Sequence, residues 1–203
     1  DYNVIIGNYA HAASDGSGYN VAVGFNALNA NQTSDNLAIG YNAGFNITTG
    51  NNNVAIGNNS LDALTTANYN TAVGRKSLSG VVTGANNTAV GYEALFNHTG
   101  SNNNAFGYQA LKANTSSGSC NAFGNQALQS STGEDNTAVG HFAGAQITTG
   151  TANTTIGVNG LYTTTTGSNN TGIGKNAWSS NATASNEVTL GDGNITSLRC
   201  ADT

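Results

Sequence analysis

A glycine preceded by an aliphatic or aromatic residue returns every 16 or 17 positions along this chain. It stands at Gly7, Gly24, Gly40, Gly57, Gly74, Gly91, Gly107, Gly124, Gly140, Gly157, Gly174 and Gly191. A period of this length is the signature of stacked repeats, each a unit too small to bury its own apolar residues. Nothing interrupts the series, so residues 1–203 read as one repeat domain without a linker.

Each position relative to the glycine has a fixed chemistry. One before it come Val, Ile, Leu or Phe, as in Val23, Ile39 and Phe106; two before it the residue is usually Ala, as in Ala22, Ala38 and Ala55. Four before it is Asn in ten of the twelve repeats, with Cys120 and Glu187 the exceptions. Three after it comes a small residue and four after it a large apolar one, as in Leu28, Leu61, Leu95, Trp178 and Ile195. Alternation before the glycine is strand periodicity. The Ala-Leu pair predicts a second short strand after a two-residue corner. A second glycine column (Gly50, Gly84, Gly100, Gly133, Gly150 and Gly167) predicts turns that need positive φ. The single-residue length variation falls between the Leu and this second glycine, which predicts an outward loop there. Stacking then places Val on Val and Leu on Leu inside, Trp178 in the core, and Asn on Asn at a corner. The Ala column suits close approach between neighbouring sheets. About twelve such coils at ~4.8 Å each make a rod of roughly 55–60 Å. The predicted class is all-β, a parallel β-solenoid of 16–17-residue coils.

Composition narrows the functions open to such a rod. Charged residues make up 7% of the chain, against ~25% in ordinary domains. The five basic residues (Arg75, Lys76, Lys112, Lys175 and Arg199) form no stripe that could follow a phosphate backbone, so nucleic acid is not an expected partner. No segment approaches the ~20 apolar residues of a membrane span, and nothing reads as a signal peptide. The chain has no Met, which reads as a piece of a longer, processed protein. Cys120 and Cys200 lie five coils apart, too far to bridge.

The run N-x-A-[VIF]-G-x-x-A-L, with TTG between copies, resembles two related groups of repeats. It is carried by Asn20, Ala22, Val23, Gly24, Ala27 and Leu28, again by Asn87, Ala89, Val90, Gly91, Ala94 and Leu95, and by their equivalents along the chain. One group is the head of trimeric autotransporter adhesins; the other is the shaft of phage tail fibres. The resemblance, and not the spacing, implies a left-handed β-roll assembled as a homotrimer. Residues 186–203 resemble the junction that precedes the intramolecular chaperone domain of phage tail spikes and fibres. These coils are longer than those usual in adhesin heads, and nothing here resembles an autotransporter stalk or anchor. The expected function is therefore a tail-fibre shaft segment contributing to host-surface attachment, located in the virion. The alternatives are a bacterial adhesin head at the cell surface and an ice-binding solenoid. The expected partners are the chain itself and a host-surface glycan or lipopolysaccharide, without membrane insertion.

No enzyme is expected. His11, His98 and His141 share no metal-ligand spacing. Glu134-Asp135 is the one adjacent acidic pair and reads as solvated. No Lys-Ser/Thr pair completes a phosphate loop. No catalytic, cofactor or metal site is therefore assigned. Phe25 and Tyr41 follow the repeat glycine on two consecutive coils, and Tyr92 and Tyr108 on another two. They are candidate glycan contacts through ring stacking, with packing between protomers or on the next coil the preferred reading. Thr71, Thr88, Thr137, Thr154 and Thr171 share a column that suits an ice-binding face, although Val, Leu and Asn interrupt it.

Overall fold

The computed structural model describes residues 2–13, 18–80, 83–115, 118–195 and 197. Twelve strands of three residues pair in parallel, in chain order, as a single sheet. They are β1 (Val4–Ile6), β2 (Val21–Val23), β3 (Leu37–Ile39), β4 (Val54–Ile56), β5 (Thr71–Val73), β6 (Thr88–Val90), β7 (Asn104–Phe106), β8 (Asn121–Phe123), β9 (Thr137–Val139), β10 (Thr154–Ile156), β11 (Thr171–Ile173) and β12 (Val188–Leu190). The register follows the glycine: Val21 pairs with Leu37, Ala22 with Ala38 and Val23 with Ile39, and so on along the sheet. This is an all-β parallel solenoid of about eleven turns. β12 lies inside the expected junction segment and simply extends the sheet; Cys200, Arg199 and the remainder of that segment beyond Ile195, Ser197 apart, lie outside the described residues.

Among the described residues each coil carries one strand, not the two expected. The Ala-Leu segment instead forms tight turns, because residues there alternate in hand. Ala27 N–H closes a turn onto Gly24 C=O (3.4 Å), with Asn26 at φ 57° and Leu28 at φ 50°. Leu61, Leu78, Leu95, Leu111, Leu128 and Leu161 repeat that left-handed conformation, which costs roughly 1–2 kcal/mol per non-Gly residue. Two things offset it. The Leu side chains are fully buried, and the turn backbone still bonds from coil to coil, as Leu28 N–H does to Ala43 C=O (3.0 Å).

The core differs from the expected one in which column fills it. With three residues per strand, only the middle one faces inward, and that residue is Ala: Ala22, Ala38, Ala55, Ala72, Ala89, Ala105, Ala122 and Ala138 are all buried. The Val/Ile column points out of the sheet, contrary to expectation. Leu supplies the bulk, as expected. A further inward position lies in the stretch expected to be an outward loop: Asn31, Ile47, Leu64, His98, Asn114, Ser131, Ile147 and Thr164 are all buried. Trp178 does not join the core. It is half exposed and its Nε1–H reaches back to Asn159 C=O at 2.9 Å.

The repeat glycine has two reasons to be glycine. Its φ runs from 117° to 145° from Gly7 to Gly174, and a Cβ on Gly107 would lie 2.3 Å from the Gly124 carbonyl oxygen of the next coil. The second glycine column lacks positive φ, so the turn explanation fails there. Close approach replaces it: a Cβ on Gly133 would meet the Gly150 oxygen at 2.0 Å.

The Asn column forms a buried ladder through the backbone. Asn87 N–H donates to Asn70 Oδ1 (3.0 Å), while Asn70 Nδ2 donates to Gly84 C=O (2.9 Å). The same pair of bonds recurs at Asn36, Asn53, Asn136 and Asn153. Cys120 takes the Asn place with its thiol 3.3 Å from Gly133 C=O.

Candidate functional site

What a partner can meet is set by the two strand positions that face outward. One column runs through Val21, Leu37, Val54, Thr71, Thr88, Asn104, Asn121, Thr137, Thr154 and Thr171, and the other through Val23, Ile39, Ile56, Val73, Val90, Phe106, Phe123, Val139, Ile156 and Ile173. Neither contains a charged residue in any of the twelve strands. Ile39, Phe123, Val139, Ile156 and Ile173 are each 39–45% exposed although they sit in regular strand structure. Tyr19 and Tyr69 flank the strands on one side, and Phe25, Tyr41, Tyr108 and Val158 on the other, all exposed. Counted as a flat rectangle of roughly 50 Å by 20 Å, from ~4.8 Å per coil and ~3.3 Å per residue, this face covers about 1,000 Å². A stable interface takes about 800 Å² per partner, so the face is large enough for one.

The four aromatic candidates fall into two separate pairs. Phe25 and Tyr41 stack with ring centroids 5.6 Å apart at 9°, and Tyr92 and Tyr108 at 5.4 Å and 11°. Arg75 Cζ lies 5.6 Å over the Tyr92 ring, and Tyr9 meets Phe25 edge-on at 5.8 Å. One face of each ring is thus covered by a ring of the neighbouring coil. This is the packing-on-the-next-coil geometry. The Thr column, by contrast, does lie on the outward strand face beside Val and Ile.

The titratable groups divide between core and surface. His98 is fully buried: its Nε2 accepts from Asn103 Nδ2 (2.8 Å) and its Nδ1 donates to Asn114 Oδ1 (2.8 Å). An amide nitrogen can only donate, so the ring is held neutral, and burial pushes its pKa below the ordinary histidine value. Glu93 bonds Lys112 Nζ at 2.6 Å and accepts from Gln109 Nε2 at 2.9 Å; the Lys112 contact foremost brings its carboxyl down to about 2. Glu134 and Asp135 are exposed. Among the described residues no three His, Cys, Asp or Glu side chains converge, no enclosed pocket forms, and no helix is long and apolar enough to cross a membrane.

No family model, curated protein or solved structure matches this chain.

Sequence reasoning missed the outward face because it placed Val and Ile inside. The signal was present in the strand length. A three-residue strand with a small middle residue between two larger ones shows its larger pair to the outside.

Proposed function

We propose that this chain is a structural and adhesive fibre segment, a stiff rod that associates with copies of itself through its strand face to form a homotrimer. The observation that supports it is the pair of uncharged outward columns that runs the whole length of the sheet. A partner that matches this face must repeat at the coil spacing over about eleven turns, and another copy of the chain does so by construction. The repeat motif's resemblance to phage tail-fibre shafts supports reading the rod as part of a virion fibre, a left-handed roll contributing to host attachment. Three rods in one fibre repeat every weak contact to a host-surface glycan or lipopolysaccharide, and avidity then exceeds single-site affinity by ~10²–10⁴. A bacterial adhesin head would use the same geometry at a cell surface.

Light scattering behind a sizing column should return three times the 20.4 kDa chain mass. The variant Val73→Lys/Val90→Lys/Val139→Lys should run as a monomer with an unchanged far-ultraviolet circular dichroism spectrum, since these side chains carry no core. A monomeric natural chain would sink the proposal. The outward Thr column favours a second reading, an ice-binding face; thermal hysteresis from a monomer would support it.

A further inference from the structure

A rod of near-identical coils that pairs with its own copies has a register problem. Sliding one copy by a single coil, ~4.8 Å, sets Val and Ile against Val and Ile again and sacrifices only one coil of overlap. Slippage of this kind is expected wherever a strand surface is uniform. The second outward column is Val, Ile or Leu and the first is Val, Leu or Thr along most of the rod, and both depart from this at one place. In β7 and β8 the outer positions are Asn104 with Phe106 and Asn121 with Phe123, where every other strand has Val, Leu or Thr with Val, Ile or Leu. Asn104 Nδ2 donates to Asn121 Oδ1 (2.9 Å), and the two Phe rings stack at 4.9 Å and 6°. The result is a two-coil block that pairs large rings with carboxamides, unlike the surface around it.

We propose that the Asn104–Asn121 and Phe106–Phe123 block is the register key of self-association, rewarding alignment of each block with the blocks of its neighbours. The inference rests on the self-association proposed above. The reason is chemical. Each carboxamide has two protons and two acceptor lone pairs, more than one ladder bond uses. In a covered seam the remainder needs polar partners, and the Asn104 and Asn121 carboxamides of an aligned copy match them in both donors and acceptors, where a Thr hydroxyl offers one donor. A copy slipped by one coil mates only half of the block, and one slipped further sets Val, Leu or Thr against the amides and smaller side chains against the rings. A single buried Asn fixes register in coiled coils by the same penalty.

The test reads axial offset between copies. In a background of Cys120→Asn and Cys200→Ser, one preparation carries Asn46→Cys and another Gln146→Cys. Both positions are exposed, occupy equivalent places in their coils and lie six coils apart. The two are labelled with orthogonal spin labels, refolded together and measured by double electron–electron resonance. The natural face should give one inter-copy distance. The variant Asn104→Thr/Asn121→Thr/Phe106→Val/Phe123→Val should still assemble and give several distances, offset in steps of about one coil. Asn104→Thr/Asn121→Thr alone should give an intermediate spread, and it serves if the fourfold variant misfolds. A single distance in the assembled variants, several distances for the natural face, or loss of assembly in the variants would overturn the register key. No inter-copy distance for the natural chain at any concentration would instead overturn self-association itself.

Discussion

The buried Asn ladder is where single atoms matter most. Asn70→Ala would strip a partner from Asn87 N–H and from Gly84 C=O, both inside the stack. At ~1–3 kcal/mol for each buried group left unsatisfied, the loss should reach about 2–5 kcal/mol in urea unfolding. Asn70→Asp would be a stricter probe, because its carboxylate keeps the acceptor and loses the donor. A second residue-scale case has a sign that depends on its neighbour. Thr155 stands where eight other coils have Ala, its buried Oγ1 has no hydrogen-bond partner, and a Cβ on Gly160 would lie 2.2 Å from that oxygen. Gly160→Ala alone should destabilise by ~1–3 kcal/mol through overpacking. In a Thr155→Ala background the same change should stabilise, and a double-mutant cycle reads the reversal. Destabilisation in both backgrounds would contradict the packing. His98 adds a pH dependence. Its folded pKa lies below the unfolded ~6.5, so the unfolded chain binds the proton first. The contribution is intact above about pH 6.5 and is lost as pH falls from there toward the lower folded value. His98→Asn should flatten the stability profile between pH 7 and 5; an unchanged slope would contradict a neutral buried ring.

At the level of the coil, sequence columns reported some positions and misled at others, for identifiable reasons. The glycine period dictates strand number, order and register because it aligns one strand per coil, and those were legible. The Asn ladder was legible because its chemistry recurs almost without exception. The Val/Ile column was misassigned because the rule that apolar residues lie inside holds in one direction only. Ala fits the narrow interior under a three-residue strand, and the larger residues are left outside. The second strand was wrongly inferred because alternating left- and right-handed residues mimic an extended segment in sequence; nothing in a Leu announces φ near 50°. The inward position shared by Ile47, His98 and Ser131 has no fixed chemistry, so no column revealed it. Within it, however, neighbours compensate. Gly44 and Gly144 replace the usual Leu in the coils where Ile47 and Ile147 fill the space, and a Cβ on Gly144 would already lie 2.9 Å from Leu128 Cδ2. The coil is therefore the unit that can be removed. Deleting residues 70–86 rejoins equivalent positions and should leave a folded, slightly less stable rod by circular dichroism and thermal melting. Deleting residues 75–82 removes half a coil and should break the stack there, so that two shorter stacks melt separately in place of one transition.

Across the whole rod, each coil touches only the coil before and the coil after, so a defect has local consequences set by its position. Asn20 and Asn87 make the same bonds: the next Asn N–H reaches Oδ1 at 2.9 Å in both, and Nδ2 donates to Thr33 C=O (2.8 Å) or Gly100 C=O (2.9 Å). Replacing either by Ala carries a similar local cost, but a linear stack answers differently in the two places. Asn20→Ala weakens the junction behind β1 and β2, and hydrogen exchange should quicken there while β4 to β12 keep their protection. Asn87→Ala weakens the middle, and fast exchange should be confined to β5, β6 and β7. The flanking stacks on either side remain long enough to stay folded, since about three repeats suffice. Denaturant unfolding of Asn87→Ala should then broaden or divide into two steps, whereas that of Asn20→Ala should remain single. Self-association through the strand face adds a longitudinal tie, because a neighbouring copy spans the weakened junction. The Asn87→Ala contrast should therefore be sharpest in the monomeric Val73→Lys/Val90→Lys/Val139→Lys background. A uniform rise in exchange along all twelve strands, in either background, would mean that the rod opens as one cooperative body and would refute nearest-neighbour stacking as the basis of its stability.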